Sequence, residues 1–227
     1  MMTSKRKIAV SRIFNSWNGI AKKIGAVSER NARYSQYILQ YMNNNSVVLD
    51  VGCNVGQLSV ACAKKTARII SVDFDKEMLR CIPKIDGIHR LLCDAQSLPI
   101  RQESVDNVLA ISVLEHLRNP ELALEEFHRV LTRKGFLIVQ IPNPEYFVEP
   151  HTMFPLLFVL PERIRDKIRL QTFGYYYTNF KLSKKKLLEL LTPLFVVREI
   201  IPVYHKLKTP PWPPSWIMLM TKKRVLE

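Results

Sequence analysis

The chain has 227 residues, 47% of them hydrophobic, and carries a formal net charge of +14. That length buries one sizeable core, and the composition excludes a disordered or low-complexity chain. The uncharged apolar run His151 to Pro161 is far short of the ~20 residues that cross a bilayer, and the charged start "MMTSKRKIAV" lacks the apolar stretch of a signal peptide, so a cytoplasmic location is expected.

The charge is unevenly spread: residues 1–46 carry +7, residues 47–145 carry −1 and residues 146–227 carry +8. A neutral middle between basic flanks places the electropositive surface on whatever the flanks build. Its partner is then nucleic acid, an anionic membrane or an anionic small substrate, or the lysines are simply solvated. Cys53, Cys62, Cys81 and Cys93 are spaced 9, 19 and 12 apart, with no Cys-x-x-Cys pair and no histidine at ligand spacing. No metal site and no disulfide are expected, and each cysteine reads as a small buried thiol in or beside an apolar run.

In chain order, residues 1–45 read as an N-terminal helical extension. Its apolar stripe Ile13, Phe14, Trp17, Ile20, Ala21 and Ile24 recurs at helical spacing and is expected to face the core rather than a membrane. Residues 46–145 then alternate strand-like runs with helix-compatible ones. The runs are "SVVLDV" (46–51), "RIISVD" (68–73), "HRLLCD" (89–94), "VDNVLAIS" (105–112) and "GFLIVQIP" (135–142). The helical pattern "NPELALEEFHRVLTRKG" has Pro120 in its first turn, apolar Leu122, Phe127, Val130 and Leu131, and Gly135 as its stop. Such alternation predicts a parallel, doubly wound α/β sheet, whose ligands sit beyond the carboxyl ends of the strands at the switch in strand order. Residues 146–180 are proline- and aromatic-rich and read as a mostly helical cap inserted over that edge. In residues 181–227, "SKKKLLELLTPL" is expected to be a helix, and "FVVREIIPVYHKL" and "WIMLMTKKR" two strands closing the sheet as an antiparallel hairpin.

The stretch "VVLDVGCNVGQLSV" carries the chemistry. A dinucleotide fingerprint wants a third glycine five positions after the first, and from Gly52 that position is Gln57; a P-loop wants a Lys-Ser/Thr pair, and none follows. What remains is D-x-G-x-x-x-G at Asp50, Gly52 and Gly56, followed by Asp73 and Asp94 at the ends of the next two strands. Three strand-end carboxylates suit a cation bearing hydroxyls and an amino group better than a pyrophosphate.

The motifs "LDVGCNVGQ" (49–57), "SVDFDKEML" (71–79), "CDAQSLPI" (93–100) and residues 105–144 occur in an order that resembles the class I S-adenosylmethionine-dependent methyltransferases. The resemblance is to the branch that includes ubiquinone- and menaquinone-pathway methyltransferases. It implies a Rossmann-like fold of seven mostly parallel strands and S-adenosyl-L-methionine as cofactor. It also implies that Asp50, Gly52 and Cys53 form the turn beneath the methionine part, glycine keeping a Cβ out of the ligand's way. Asp73 would accept the ribose hydroxyls, with Phe74 against the adenine. Asp94, with the Ala95 backbone beside it, would accept from the adenine amino group, and Ser112 would offer its carbonyl to the methionine ammonium. The family usually has glycine where this chain has Asn54, and asparagine is expected there in a left-handed conformation, which it tolerates next best.

Methyl transfer is an in-line displacement that proximity and alignment accelerate, and it needs a general base only for a protonated nucleophile. The candidates are Glu115 and His116 after the fourth strand, and His151, with Tyr146 and Glu149, after the fifth. After the fourth strand, where base N-methyltransferases resemble one another in an Asn/Asp-Pro-Pro-aromatic run, the chain reads "SVLE". The expected acceptor is therefore small or lipid-linked, sugar or quinone-like. The apolar "FPLLFVLP" followed by "ERIRDKIRL" fits a cap touching an anionic membrane, and a packed cap helix explains the same pattern. Two other functions fit the chain: methyl transfer to RNA or protein held by the basic flanks, and a non-catalytic partner subunit with this fold.

Overall fold

The expected strands are present, and the carboxyl ends of β1 to β5 reach one common edge. The computed structural model describes residues 34–144, 160–161, 163–164, 167, 182–203, 213 and 215–223. The strands are β1 (Val47–Val51), β2 (Arg68–Asp73), β3 (Ile88–Leu92), β4 (Val105–Ile111), β5 (Leu131–Pro142), β6 (Phe195–Val203) and β7 (Ser215–Lys222). Residues 34–39 form α1, and α2 (Gln57–Cys62), α3 (Lys76–Cys81), α4 (Pro120–Val130) and α5 (Lys184–Leu191) follow, with a 3-10 turn at Leu114–His116. The apolar stripe from Ile13 to Ile24, and the cap of residues 146–180 apart from five of its residues, lie outside the described residues.

All seven strands join in one sheet of order β3-β2-β1-β4-β5-β7-β6. The first five in this order are mutually parallel, and β7 is antiparallel to both β5 and β6. The sheet is thus doubly wound with a late antiparallel hairpin, as expected. The sequence did not indicate that the last strand inserts between β5 and β6. Strand order reverses between β1 and β4, and ligands of such sheets bind at this switch, beyond the carboxyl ends.

Side chains alternate between the two faces. On one face Leu49, Val51, Val108 and Val139 pack with Leu124 and Phe127 of α4 and Leu187 and Leu191 of α5. On the other Val48, Ile69, Leu109 and Ile217 pack with Ile38 of α1 and Cys62 of α2. Each fully buried Leu, Ile, Val or Phe contributes roughly 1.5–3 kcal/mol. Ser183 caps α5, its hydroxyl accepting from the Lys186 N–H at 3.2 Å.

Three expectations are corrected. Helix α4 stops at Val130, not Gly135. The Arg129 and Val130 carbonyls accept from Glu103 and Ser104 N–H, each at 2.9 Å, and Leu131 begins β5 opposite Val105. Gly135 lies inside β5 and lets that strand approach β4, since a Cβ there would sit 2.7 Å from the Asp106 carbonyl oxygen. The buried stripe of α4 is Ala123, Leu124, Phe127 and Val130, while Leu122, roughly 100° round the helix from Ala123, is 44% exposed. Finally, Cys53 and Cys62 are buried, but Cys93 is half-buried and Cys81 is exposed at the end of α3, a helix that buries only Leu79.

Candidate cofactor and active site

The β1 strand delivers the chain into a turn with three left-handed residues, Gly52 (φ 63°), Asn54 (φ 51°) and Gly56 (φ 76°). Asn54 therefore has the expected backbone, and its side-chain oxygen accepts from the Val55 N–H at 2.7 Å, a local bond that supports this conformation. At Gly52 the fold itself supplies a steric reason for glycine. A Cβ would lie 2.5 Å from Cγ2 of Val113, so glycine here allows the turn to pack on the exit of β4.

Asp50 does not reach the rim. It is 2% exposed beneath the turn, where Ser59 Oγ of α2 donates to its Oδ2 at 2.5 Å and Ser71 Oγ of β2 donates to Ser59 Oγ at 2.8 Å. Burial pushes its pKa up to about 7, opposed by hydrogen bonds from the Ser59 hydroxyl and backbone and assisted by the nearby Asp73 charge. Cys53 contributes backbone: its N–H donates to the Val72 carbonyl at 3.0 Å and its carbonyl accepts from Gly56 at 2.8 Å. Its thiol packs with Leu79 and Ile82, and burial pushes the thiol pKa up.

Asp73 closes β2 at the switch point. Its Oδ2 accepts from the Asn54 N–H and its Oδ1 from the Asp75 N–H, both at 2.9 Å. Burial raises its pKa, while these amides favour the charged form. A carboxylate is acceptor-only, so what capacity these amides leave can take hydroxyl donors. Phe74 beside it is 78% exposed, an apolar face at the rim. Beyond β3, the exposed Asp94 accepts from the Gln96 N–H and side-chain amide at 2.9–3.1 Å, and Ala95 is buried in the core. Gln96 also accepts from the Asn119 N–H at 3.1 Å, tying this loop to the start of α4.

Past β4, Ser112 is left-handed at φ 55°. Its hydroxyl donates to Gln140 Oε1 at 2.5 Å and its N–H to the Gln140 carbonyl at 3.0 Å. Glu115 and His116 follow in the 3-10 turn, Glu115 4% exposed and its carboxylate 4.0 Å from His116 Nε2. His151, Tyr146 and Glu149 lie outside the described residues. Sequence reasoning missed Ser59, Ser71, Gln96 and Gln140. A signal was available for three of them: Gln140, Ser59 and Ser71 are polar interruptions of apolar runs.

A glycine turn, a buried carboxylate at the end of β2 and an aspartate two residues past β3 gather at the switch point of a sheet with the Rossmann-like methyltransferase fold. Residues 49–139 match the "Methyltransferase domain" family model, and chains similar to this one are named for S-adenosylmethionine-dependent methyl transfer. An uncharacterized protein of Methanocaldococcus jannaschii is 32% identical over 64% of this chain and 62% of its own. The ubiquinone biosynthesis O-methyltransferase of Hydrogenovibrio crunogenus is 22% identical over 60% of this chain and 59% of its own. The matched stretch thus spans about three fifths of the length of these two relatives. Among solved structures, a complex of the Haloferax volcanii Trm112 methyltransferase activator with a methyltransferase shares the fold at a TM-score of 0.68 and 17% identity, over 96% of this chain and 99% of that one.

Proposed function

We propose that the protein transfers a methyl group from S-adenosyl-L-methionine to a small or lipid-linked acceptor, in the manner of the ubiquinone- and menaquinone-pathway branch. The observation that supports it most is Asp73, a buried strand-end carboxylate that backbone amides of Asn54 and Asp75 hold at the switch point. The bound cofactor supplies a methyl group made electrophilic by its sulfonium. Asp73 holds the ribose hydroxyls, Asp94 the adenine amino group and the Ser112 carbonyl the ammonium. Alignment of the acceptor against the fixed methyl supplies the rate, an effect worth roughly 7–11 kcal/mol in well-oriented cases. Where the acceptor arrives protonated, Glu115, His116 or His151 takes its proton.

The acceptor class is supported by "SVLE" at residues 112–115, by the apolar run in residues 151–161, and by a relative named for ubiquinone biosynthesis. The test is methyl incorporation from labelled cofactor into cell extract separated into lipid, small-molecule, RNA and protein fractions. Label is expected in the lipid or small-molecule fraction. Asp73→Ala, which removes charged hydrogen bonds of roughly 1.5–3 kcal/mol, lowers cofactor affinity by about tenfold or more with the fold retained. Unchanged affinity in that variant refutes the cofactor site, and label confined to RNA or protein refutes the acceptor class.

A further inference from the structure

We infer that Gln140 is a positioning residue, which holds Ser112 in its left-handed conformation and so fixes the Ser112 carbonyl for the cofactor's amino-acid end. This rests on the reading that the carbonyl receives the ammonium. A serine at φ 55° is strained, and such residues persist where the surroundings over-determine them. Here the determining contacts both come from one residue. The Gln140 backbone carbonyl accepts the Ser112 N–H at 3.0 Å, continuing the β4–β5 pairing one step beyond Ile111, which is opposite Gln140. Its side-chain oxygen accepts the Ser112 hydroxyl at 2.5 Å.

The cost of placing Gln140 there marks it further. It is 3% exposed in a strand whose Leu137, Ile138, Val139 and Ile141 are fully buried apolar residues. An amide in such a setting is unfavourable unless hydrogen-bonded, and an apolar residue would pack there without that requirement.

The test is calorimetric titration with two probes. S-Adenosylhomocysteine carries the ammonium, and 5′-methylthioadenosine shares the nucleoside but lacks the amino-acid end. Gln140→Leu is expected to weaken S-adenosylhomocysteine by about tenfold, the size of effect that backbone strain of this kind produces, and to leave 5′-methylthioadenosine within about twofold. Adding Ser112→Gly restores S-adenosylhomocysteine affinity in the Gln140→Leu background, because glycine adopts the left-handed region without a brace. Ser112→Ala deletes the same side-chain bond from the Ser112 side, outside the apolar run of β5, and gives a smaller loss with the same selectivity. Wild-type affinity in both Gln140→Leu and Ser112→Ala, or failure of the glycine to restore binding, overturns the role of Gln140. Equal loss of both probes in Gln140→Leu overturns the assignment of the Ser112 carbonyl instead. Asp73→Ala weakens both probes if the cofactor site is correct, so failure of that underlying reading shows separately.

Discussion

Asp50 shows how burial at one residue couples cofactor-site architecture to pH. Its carboxyl titrates near pH 7 because it is enclosed beneath the turn, with two serines as hydrogen-bonding neighbours, against about 4 in the unfolded chain. A folded pKa above the unfolded one means that the folded state binds the extra proton between those values. Stability is then full below about pH 4 and falls as pH rises toward 7. Asp50→Asn keeps an oxygen for the Ser59 hydroxyl and removes the titration. That variant is expected to be more stable than wild type at pH 7, by an amount of the order of a few kcal/mol, and no more stable at pH 4. Urea denaturation at both pH values checks this, and an equal difference at the two would show that Asp50 does not titrate there. At this scale the site was only partly legible. Asn54 could be placed because its deviation from glycine has a local conformational meaning, as its φ of 51° shows. The inward turn of Asp50 and the bracing of Ser112 could not, because their partners lie on α2 and β5 and no local pattern encodes such pairings.

The segment before β4 is held by a helix rather than by a strand partner, and this makes one residue of α4 disproportionately important. Arg129 donates to the Ile100 and Leu98 carbonyls at 2.7 and 2.9 Å, and to both oxygens of Glu126 at 2.6 and 2.7 Å. Glu126 in turn accepts from the Leu98 N–H at 2.7 Å, so a bidentate pair fastens the loop after Asp94 to the helix. Arg129→Ala releases two carbonyls and leaves Glu126 with one bond, and is expected to cost roughly 1–3 kcal/mol in urea denaturation. Arg129→Lys recovers little of it, because an ammonium cannot reproduce the planar fork; full recovery would argue that charge alone holds the loop. The element itself was legible from Pro120 and its apolar spacing. Its end was not, because Leu131 to Lys134 read equally well as another helical turn, and only pairing with Val105 commits Leu131 to a strand.

For the whole molecule the informative quantity is where the positive charge lies. The segment from residue 47 to 145 is nearly neutral, so the +14 resides in the flanking segments. Within the described part of those flanks, Lys185 and Lys186 of α5 are exposed, while Lys184 lies over the Trp216 ring at 4.1 Å. A lipid-linked acceptor would draw such a protein to an anionic surface, at roughly 1 kcal/mol per lysine or arginine near the headgroups. An RNA acceptor would use the same residues on phosphates, with log affinity falling by about 0.7 per neutralised phosphate for each unit of log salt. Both interactions weaken with salt, so salt sensitivity alone does not separate them, but competition at one ionic strength does. The protein is expected to sediment with vesicles containing phosphatidylserine at physiological salt and not with phosphatidylcholine alone. Bulk RNA is expected to displace it only below that salt concentration. Displacement by RNA at physiological salt, together with labelled methyl recovered in the RNA fraction, would assign the basic flanks to nucleic acid and make the acceptor a macromolecule.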